Sequence, residues 1–241
     1  MRLGVVVFPG TNCDLDCYYV LGTVFGQTVD YVWHRETDLS AYDGLVIAGG
    51  FSYGDYLRAG AIARFSPVMK SIERFAADGG LVMGICNGFQ VLTEAGLLPG
   101  ALMPNECLQF RCQWVHVRVD NAETAFTSAC QPGEVLRIPI NHYEGRYFAT
   151  DEQLAAMEAN GQIVLRYCTA DGKLSPESNP NGSRWHVAGI TNREGNVFGL
   201  MPHPERASEA ELGSTDGARI FRSLLRSLEA RRRAVAAGGG R

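Results

Sequence analysis

One run of eleven residues constrains the fold of this 241-residue chain more than any other: Gly80-Leu81-Val82-Met83-Gly84-Ile85-Cys86-Asn87-Gly88-Phe89-Gln90. An apolar stretch of strand length ends in Gly-x-Cys-x-Gly, and a helix-forming segment follows. This is the layout of a nucleophile elbow, a tight strand-to-helix turn that lifts one side chain over the end of a sheet. Glycine suits positions 84 and 88 because a Cβ there would crowd the turn or the returning helix. The turn leaves Cys86 at a helix start, where free N–H groups and the helix dipole favour negative charge. A buried cysteine in a structural strand–turn–helix unit fits the same pattern, since Cys is common in interiors. Chemistry at Cys86 therefore needs partners elsewhere in the chain.

Strand-like and helix-like segments alternate through the N-terminal half. A strand near 3–8, a helix near 13–25 and a strand near 28–33 precede the apolar run 44–48. A helix near 64–78 then leads into the strand at 80–83 and the elbow helix. Such alternation predicts an α/β fold, a mostly parallel sheet flanked by helices on both faces. Residues 105–145 are β-rich, and Trp114-Val115-His116-Val117-Arg118-Val119 alternates as half-buried antiparallel strands do, so antiparallel strands are added to the sheet. A helix from about 214 to 230 packs last. Residues 1–233 are expected to form one domain, and 234–241, ending in Gly238-Gly239-Gly240-Arg241, a disordered tail. At 46% hydrophobic, the chain can bury a sizeable single core. No apolar run approaches membrane-spanning length and Met1-Arg2 leads straight into a strand, so a soluble cytoplasmic protein with no membrane partner is expected. A formal net charge of −4 gives no electrostatic reason to expect nucleic acid.

A thiol nucleophile usually needs a base, and the base an orienting group. Of five histidines, only His203 follows a strand-like run, Asn196-Val197-Phe198-Gly199-Leu200-Met201, and is followed closely by a carboxylate. Prolines 202 and 204 forbid a helix across it. In an extended segment residues two apart face the same way, so Glu205 is expected to reach the His203 ring and fix its tautomer. Elbow and His-Pro-Glu both fall at the carboxyl ends of predicted strands, where sites in open α/β sheets lie. A third such end, Gly44-Leu45-Val46-Ile47-Ala48, opens into Gly49-Gly50-Phe51-Ser52-Tyr53-Gly54-Asp55. Glycines there free backbone N–H groups to face a developing oxyanion. Gly50 and the N–H of Asn87 are the candidate donors. Seven cysteines, an odd number in a cytosolic-looking chain, argue against a disulfide framework. Neither Cys13/Cys17 nor Cys107/Cys112 has the short gap of a zinc knuckle, so no metal is expected and six of the seven are taken as small apolar fillers. There is no Gly-x-x-x-x-Gly-Lys-[Ser/Thr] phosphate loop, hence no recognisable ATP site.

Together these residues resemble the class I (triad) glutamine amidotransferase family, whose fold is flavodoxin-like. Gly84 to Gly88, His203 and Glu205 carry the general resemblance. A narrower one, to the ammonia-supplying members that serve purine biosynthesis, rests on further blocks. They are Pro9-Gly10-Thr11-Asn12-Cys13-Asp14, Gly49 through Ala63, Asn179-Pro180-Asn181-Gly182-Ser183 and Met201-Pro202-His203-Pro204-Glu205-Arg206. These blocks span nearly the whole chain in the expected order. One segment departs: in Ile140-Asn141-His142-Tyr143-Glu144-Gly145, small residues are expected where Asn141 and Tyr143 stand. The resemblance implies hydrolysis of L-glutamine to glutamate and ammonia through a Cys86 thioester, with His203 as base and Glu205 orienting it. Gln90, one helical turn beyond Cys86, is implied to line the glutamine pocket; otherwise it is a solvated helix residue. Ammonia would pass to a separate synthetase subunit that converts formylglycinamide ribonucleotide to formylglycinamidine ribonucleotide with ATP and Mg on that subunit, so this chain needs no cofactor. A small accessory subunit is a further candidate partner. Two other readings stay open at this point: another thiol hydrolase on the same sheet (a peptidase or deglycase-like protein), and a non-catalytic binding subunit.

Overall fold

The structure is a computed structural model that describes residues 1–238. Its strands are β1 (Arg2–Val7), β2 (Thr28–Trp33), β3 (Gly44–Ile47), β4 (Leu81–Ile85), β5 (Ala101–Met103), β6 (Arg111–Val119), β7 (Val135–His142), β8 (Arg146–Phe148), β9 (Ile163–Cys168), β10 (Val187–Thr191) and β11 (Val197–Leu200). The α-helices are α1 (Asp14–Tyr19), α2 (Pro67–Ala77), α3 (Asn87–Glu94), α4 (Asp151–Ala159) and α5 (Ala218–Gly238). Nine strands form one sheet in the order β2-β1-β3-β4-β11-β10-β9-β6-β7, and β5 pairs β8 separately. From β2 to β11 neighbours run parallel; from β11 to β7 they run antiparallel. The expected parallel sheet with added antiparallel strands is what the chain forms, and both parts belong to one continuous sheet.

Burial explains where each strand sits. β3, β4 and β11 are buried at every position, as central strands covered on both faces must be. β7 alternates buried and half-buried residues, the period of a strand with one face on the core. Ser66 in an extended conformation and Pro67 at the first position start α2, where a missing N–H costs nothing. Thr150 and Gln153 close α4 with a reciprocal capping box. Helix α3 lies against β4, β3 and β11, and α1 against β1 and β2. Phe221, Leu224, Leu225 and Leu228 of α5 are buried.

Two expectations change. The helix expected over 13–25 is α1 followed by a π-helical segment, Val20–Val24. Of the tail expected over 234–241, residues 234–238 continue α5, which starts at Ala218, and residues 239–241 lie outside the described residues. Among the described residues no helix is long and apolar enough to cross a membrane.

The ordering β3-β4-β11 gathers the chemistry-bearing loops at one edge. Register pairs Ile47 with Gly84 and Ile85 with Leu200, so the carboxyl ends of the three strands stand side by side. Gly49-Gly50, Cys86 and His203 follow those ends within three residues of each.

Candidate active site

Cys86 occupies the turn between β4 and α3 with φ +50° and ψ −104°, a conformation an L-residue adopts only where surrounding structure enforces it. The two glycines are what allow it. A Cβ on Gly84 would lie 2.6 Å from the carbonyl carbon of Gly88, and one on Gly88 would lie 2.1 Å from the carbonyl oxygen of Ile47. Strand, turn and helix are thus packed backbone to backbone. The Cys86 N–H donates to Leu200 O at 2.8 Å, tying the turn to β11, and its Sγ lies 3.6 Å from Asn141 O.

His203 and Glu205 are buried at 1% exposure each. Nδ1 of His203 lies 2.6 Å from Glu205 Oε1, and the His203 N–H donates to Pro139 O at 2.8 Å. Glu205 reaches the ring by a different route from the extended segment expected: Pro204–Arg206 is a 3₁₀ turn that brings the carboxylate back under the ring. With Nδ1 taken by Glu205, Nε2 is the remaining nitrogen, and among the described residues it has no partner of good hydrogen-bond geometry. Burial opposes a charge on this ring, but the Glu205 carboxylate, the Cys86 sulfur and contacts from the Cys13 and Cys86 thiols together raise its pKa well above the ordinary value. The His203 ring and the Cys86 side chain border the same point: a Cβ on Gly49 would lie 3.0 Å from His203 Cε1 and 3.4 Å from Cys86 Cβ. Sulfur, imidazole and carboxylate therefore converge at one rim of the sheet.

A cavity of about 90 Å³ opens beside Cys86, lined by Gly50, Phe51, Asp55, Gln90 and the segment 141–144. Gly50, at φ +144°, is held by an antiparallel bridge to Thr11, and a Cβ there would lie 2.6 Å from Asn12 N. The Pro9–Asp14 block is thereby explained as the brace of the Gly49-Gly50 turn; the N–H groups of Asn12 and Cys13 both donate to Gly49 O. Asn87 opens α3, where backbone N–H groups have no intrahelical acceptor. Its side chain accepts from Ser52 N at 3.0 Å and donates to Gln90 Oε1 at 2.8 Å, fastening the 52–55 turn to the elbow helix. Gln90 is 4% exposed and donates to Glu144 O, so it is a pocket residue and not a solvated one.

Several site residues were not singled out from the sequence. Asp55 borders the cavity; its pKa is raised to about 6, first by burial, then by the neighbouring Glu144 carboxylate, against the hydrogen bond from Asn87. Cys13 is no inert filler. Its Sγ receives a hydrogen bond from Arg206 at 3.1 Å, and its ligand atom lies with those of His203 and Glu205 within a 4.8 Å cluster. Two of those three groups, His203 and Glu205, are already hydrogen-bonded to each other. Cys107 and Cys112 are exposed, correcting the expectation that all cysteines but Cys86 fill the interior. The only signal for Cys13 was its place in the Pro9–Asp14 block.

Comparison with known proteins gives one consistent answer. Residues 1–219 match the CobB/CobQ-like glutamine amidotransferase domain. The phosphoribosylformylglycinamidine synthase subunit PurQ of Moorella thermoacetica is 60% identical over 225 residues, covering 93% of this chain and 95% of that protein. The subunit of the same name from Symbiobacterium thermophilum is 55% identical over 231 residues, covering 96% and 98%. Among solved structures, a chain of PurLQS from Thermotoga maritima superposes with a TM-score of 0.84 at 45% identity, covering 94% of this chain and 98% of that one.

Proposed function

The chain belongs to the CobB/CobQ-like glutamine amidotransferase family, and we propose that it is the glutaminase subunit of a phosphoribosylformylglycinamidine synthase. It is an enzyme of purine biosynthesis that works in a complex with other synthase subunits. Its substrate in this reading is L-glutamine. The observation that carries the chemistry is the convergence of Cys86, His203 and Glu205 beside one small cavity.

The steps follow from the geometry. His203 accepts the Cys86 thiol proton at Nε2 while Glu205 holds Nδ1–H and stabilises the imidazolium. Sulfur attacks the side-chain amide carbon of glutamine, and the oxyanion forms near Gly50 and the first N–H of α3. As the carbon–nitrogen bond breaks, His203 gives its proton to the leaving nitrogen, which departs as ammonia. Water, activated by the same imidazole, then cleaves the γ-glutamyl thioester to release glutamate and restore the thiol. Gln90 and the 141–144 segment line the substrate side. ATP and magnesium act on the synthetase subunit, which consumes the ammonia to aminate formylglycinamide ribonucleotide, and this chain needs no cofactor. A cytoplasmic location suits that pathway.

Cys86→Ala tests the reading. In the assembled complex it should reduce glutamine-dependent synthesis on the order of 10⁴-fold or more and spare synthesis from added ammonium salt. A glutamine-analogue electrophile such as diazo-oxo-norleucine should label the wild-type thiol. Labelling by peptide electrophiles but not by the glutamine analogue would instead establish a peptidase-like enzyme.

A further inference from the structure

The Asn179-Pro180-Asn181-Gly182-Ser183 block lies away from the triad, and the reaction steps leave it without a role. The structure joins it to His142, which is 3% exposed behind the pocket wall. Nδ1 of His142 lies 3.1 Å from Asn105 Oδ1, and Nε2 lies 3.5 Å from Asn181 Nδ2. Backbone groups fix which way both amides face. Asn105 Oδ1 also accepts from the Gly145 N–H at 3.1 Å, and Asn105 Nδ2 donates to His142 O at 3.0 Å. Asn181 Nδ2 donates to Gly145 O at 2.8 Å, and Asn181 Oδ1 accepts from the Ser183 N–H at 3.1 Å. An oxygen therefore faces Nδ1 and an N–H faces Nε2. Only the neutral Nδ1–H tautomer satisfies both; an imidazolium would set Nε2–H against the amide hydrogens of Asn181.

What this cage holds is the substrate side of the pocket. Residues 141–145 supply Asn141 O beside the Cys86 sulfur and Glu144 O to Gln90. Gly145 lies directly against the ring, where a Cβ would fall 2.2 Å from His142 Cε1. Asn105 N–H donates to Tyr143 O at 2.8 Å, and Ser183 Oγ donates to Asn181 Oδ1 at 2.8 Å. Asn181 Nδ2 also donates to Tyr167 OH at 3.4 Å, and among the described residues the titratable side chain whose charge acts on His142 is His203.

We propose that His142, locked as its Nδ1–H tautomer between Asn105 and Asn181, is a positioning residue that fixes the 141–145 segment as the rigid wall of the glutamine pocket. The inference rests on the glutaminase reading. Burial first, and then the neighbouring His203, hold the ring's pKa down to about 3, in keeping with a group that never charges in use. A site with two titrating imidazoles would change pocket shape with pH; here one ring moves protons and the other holds the wall.

Long-range proton–nitrogen NMR on the histidine-labelled full chain tests the lock without reference to activity. His142 should show the Nδ1–H pattern, unchanged between about pH 5 and 8. Titration in that window, or the Nε2–H tautomer, would overturn the proposal. Asn181→Asp replaces the donor facing Nε2 with an acceptor. In the reconstituted complex it should make His142 titrate and raise the KM for glutamine about tenfold or more, with ammonium-dependent synthesis retained. A titrating His142 with an unchanged glutamine KM would sink the positioning role. If the variant fails to assemble, Asn105→Asp keeps an acceptor at Nδ1 but sets a carboxylate oxygen against His142 O, so it should shift His142 toward the charged form and raise the glutamine KM, and an unchanged ring and KM there would count against the lock. Loss of diazo-oxo-norleucine labelling in the wild type would strike the glutaminase reading and leave the NMR result standing.

Discussion

At the scale of single residues, neighbouring carboxylates do different work because their surroundings differ. Glu205 is buried against His203, with Oε1 2.6 Å from Nδ1 of that ring. Glu205→Gln keeps the shape but removes the charge that sustains the imidazolium. Glutamine-dependent turnover should fall roughly 10³–10⁴-fold, with ammonium-dependent synthesis intact, as paired assays of the complex would show. Asp55 carries a desolvation cost that no cation offsets. Its carboxyl is raised from 3.8 to about 6, so the folded chain binds a proton that the unfolded chain has already lost between those values. Stability from this group is therefore present below about pH 4 and declines as pH rises to about 6. A rise of that size corresponds to about 3 kcal/mol, and partial exposure reduces that to about 1 kcal/mol. Urea unfolding should find Asp55→Asn more stable than wild type by that amount at pH 7.5, with the difference gone near pH 4.

At the scale of elements, the decisive contact is α3 against β3 and β4. Only glycine at 84 and 88 lets the helix approach near enough to set Cys86 over the sheet edge. Gly88→Ala would drive a methyl into the Ile47 carbonyl, a backbone atom that cannot turn aside. We expect destabilisation of about 3 kcal/mol or more, read as a lower urea midpoint, together with loss of glutaminase activity. Gly26→Ala makes the control: its φ is +64° with nothing within 4 Å of the added carbon, so only about 1 kcal/mol of backbone strain is expected. The sequence showed these elements well where period and punctuation agreed, as at β4, α3 and β6. It was silent where neither period nor punctuation marked a change. The π-helical segment after α1 and the extension of α5 past residue 233 carry no local signal that separates them from an ordinary helix or a tail.

At the scale of the whole molecule, the cavity beside Cys86 is about 90 Å³, well below the roughly 300 Å³ at which ligand pockets begin. Phe51 and Tyr143 line it while more than two-fifths exposed, and Tyr56 and Leu57 nearby are 74% and 89% exposed. A chain that hydrolysed glutamine freely would waste both products, and this one presents a narrow pocket behind an apolar rim. Glutaminase turnover should rise at least tenfold when the synthetase subunit docks and widens the site. Equal steady-state rates for the chain alone and in the complex would refute that coupling.

The sequence by itself determined the strand–turn–helix geometry at Cys86, the alternation that makes a sheet covered by helices, and the pairing of His203 with Glu205. Each of these is written in local spacing: glycines where backbones touch, apolar period, prolines around one histidine. Only the tertiary structure decided that Cys13 lies beside the His203 ring, that Asp55 and Glu144 share the pocket mouth, and that His142 is clamped neutral between Asn105 and Asn181. Those relations join residues dozens of positions apart, and their chemistry depends on burial and on which way an amide faces, quantities that exist only once the chain has closed on itself.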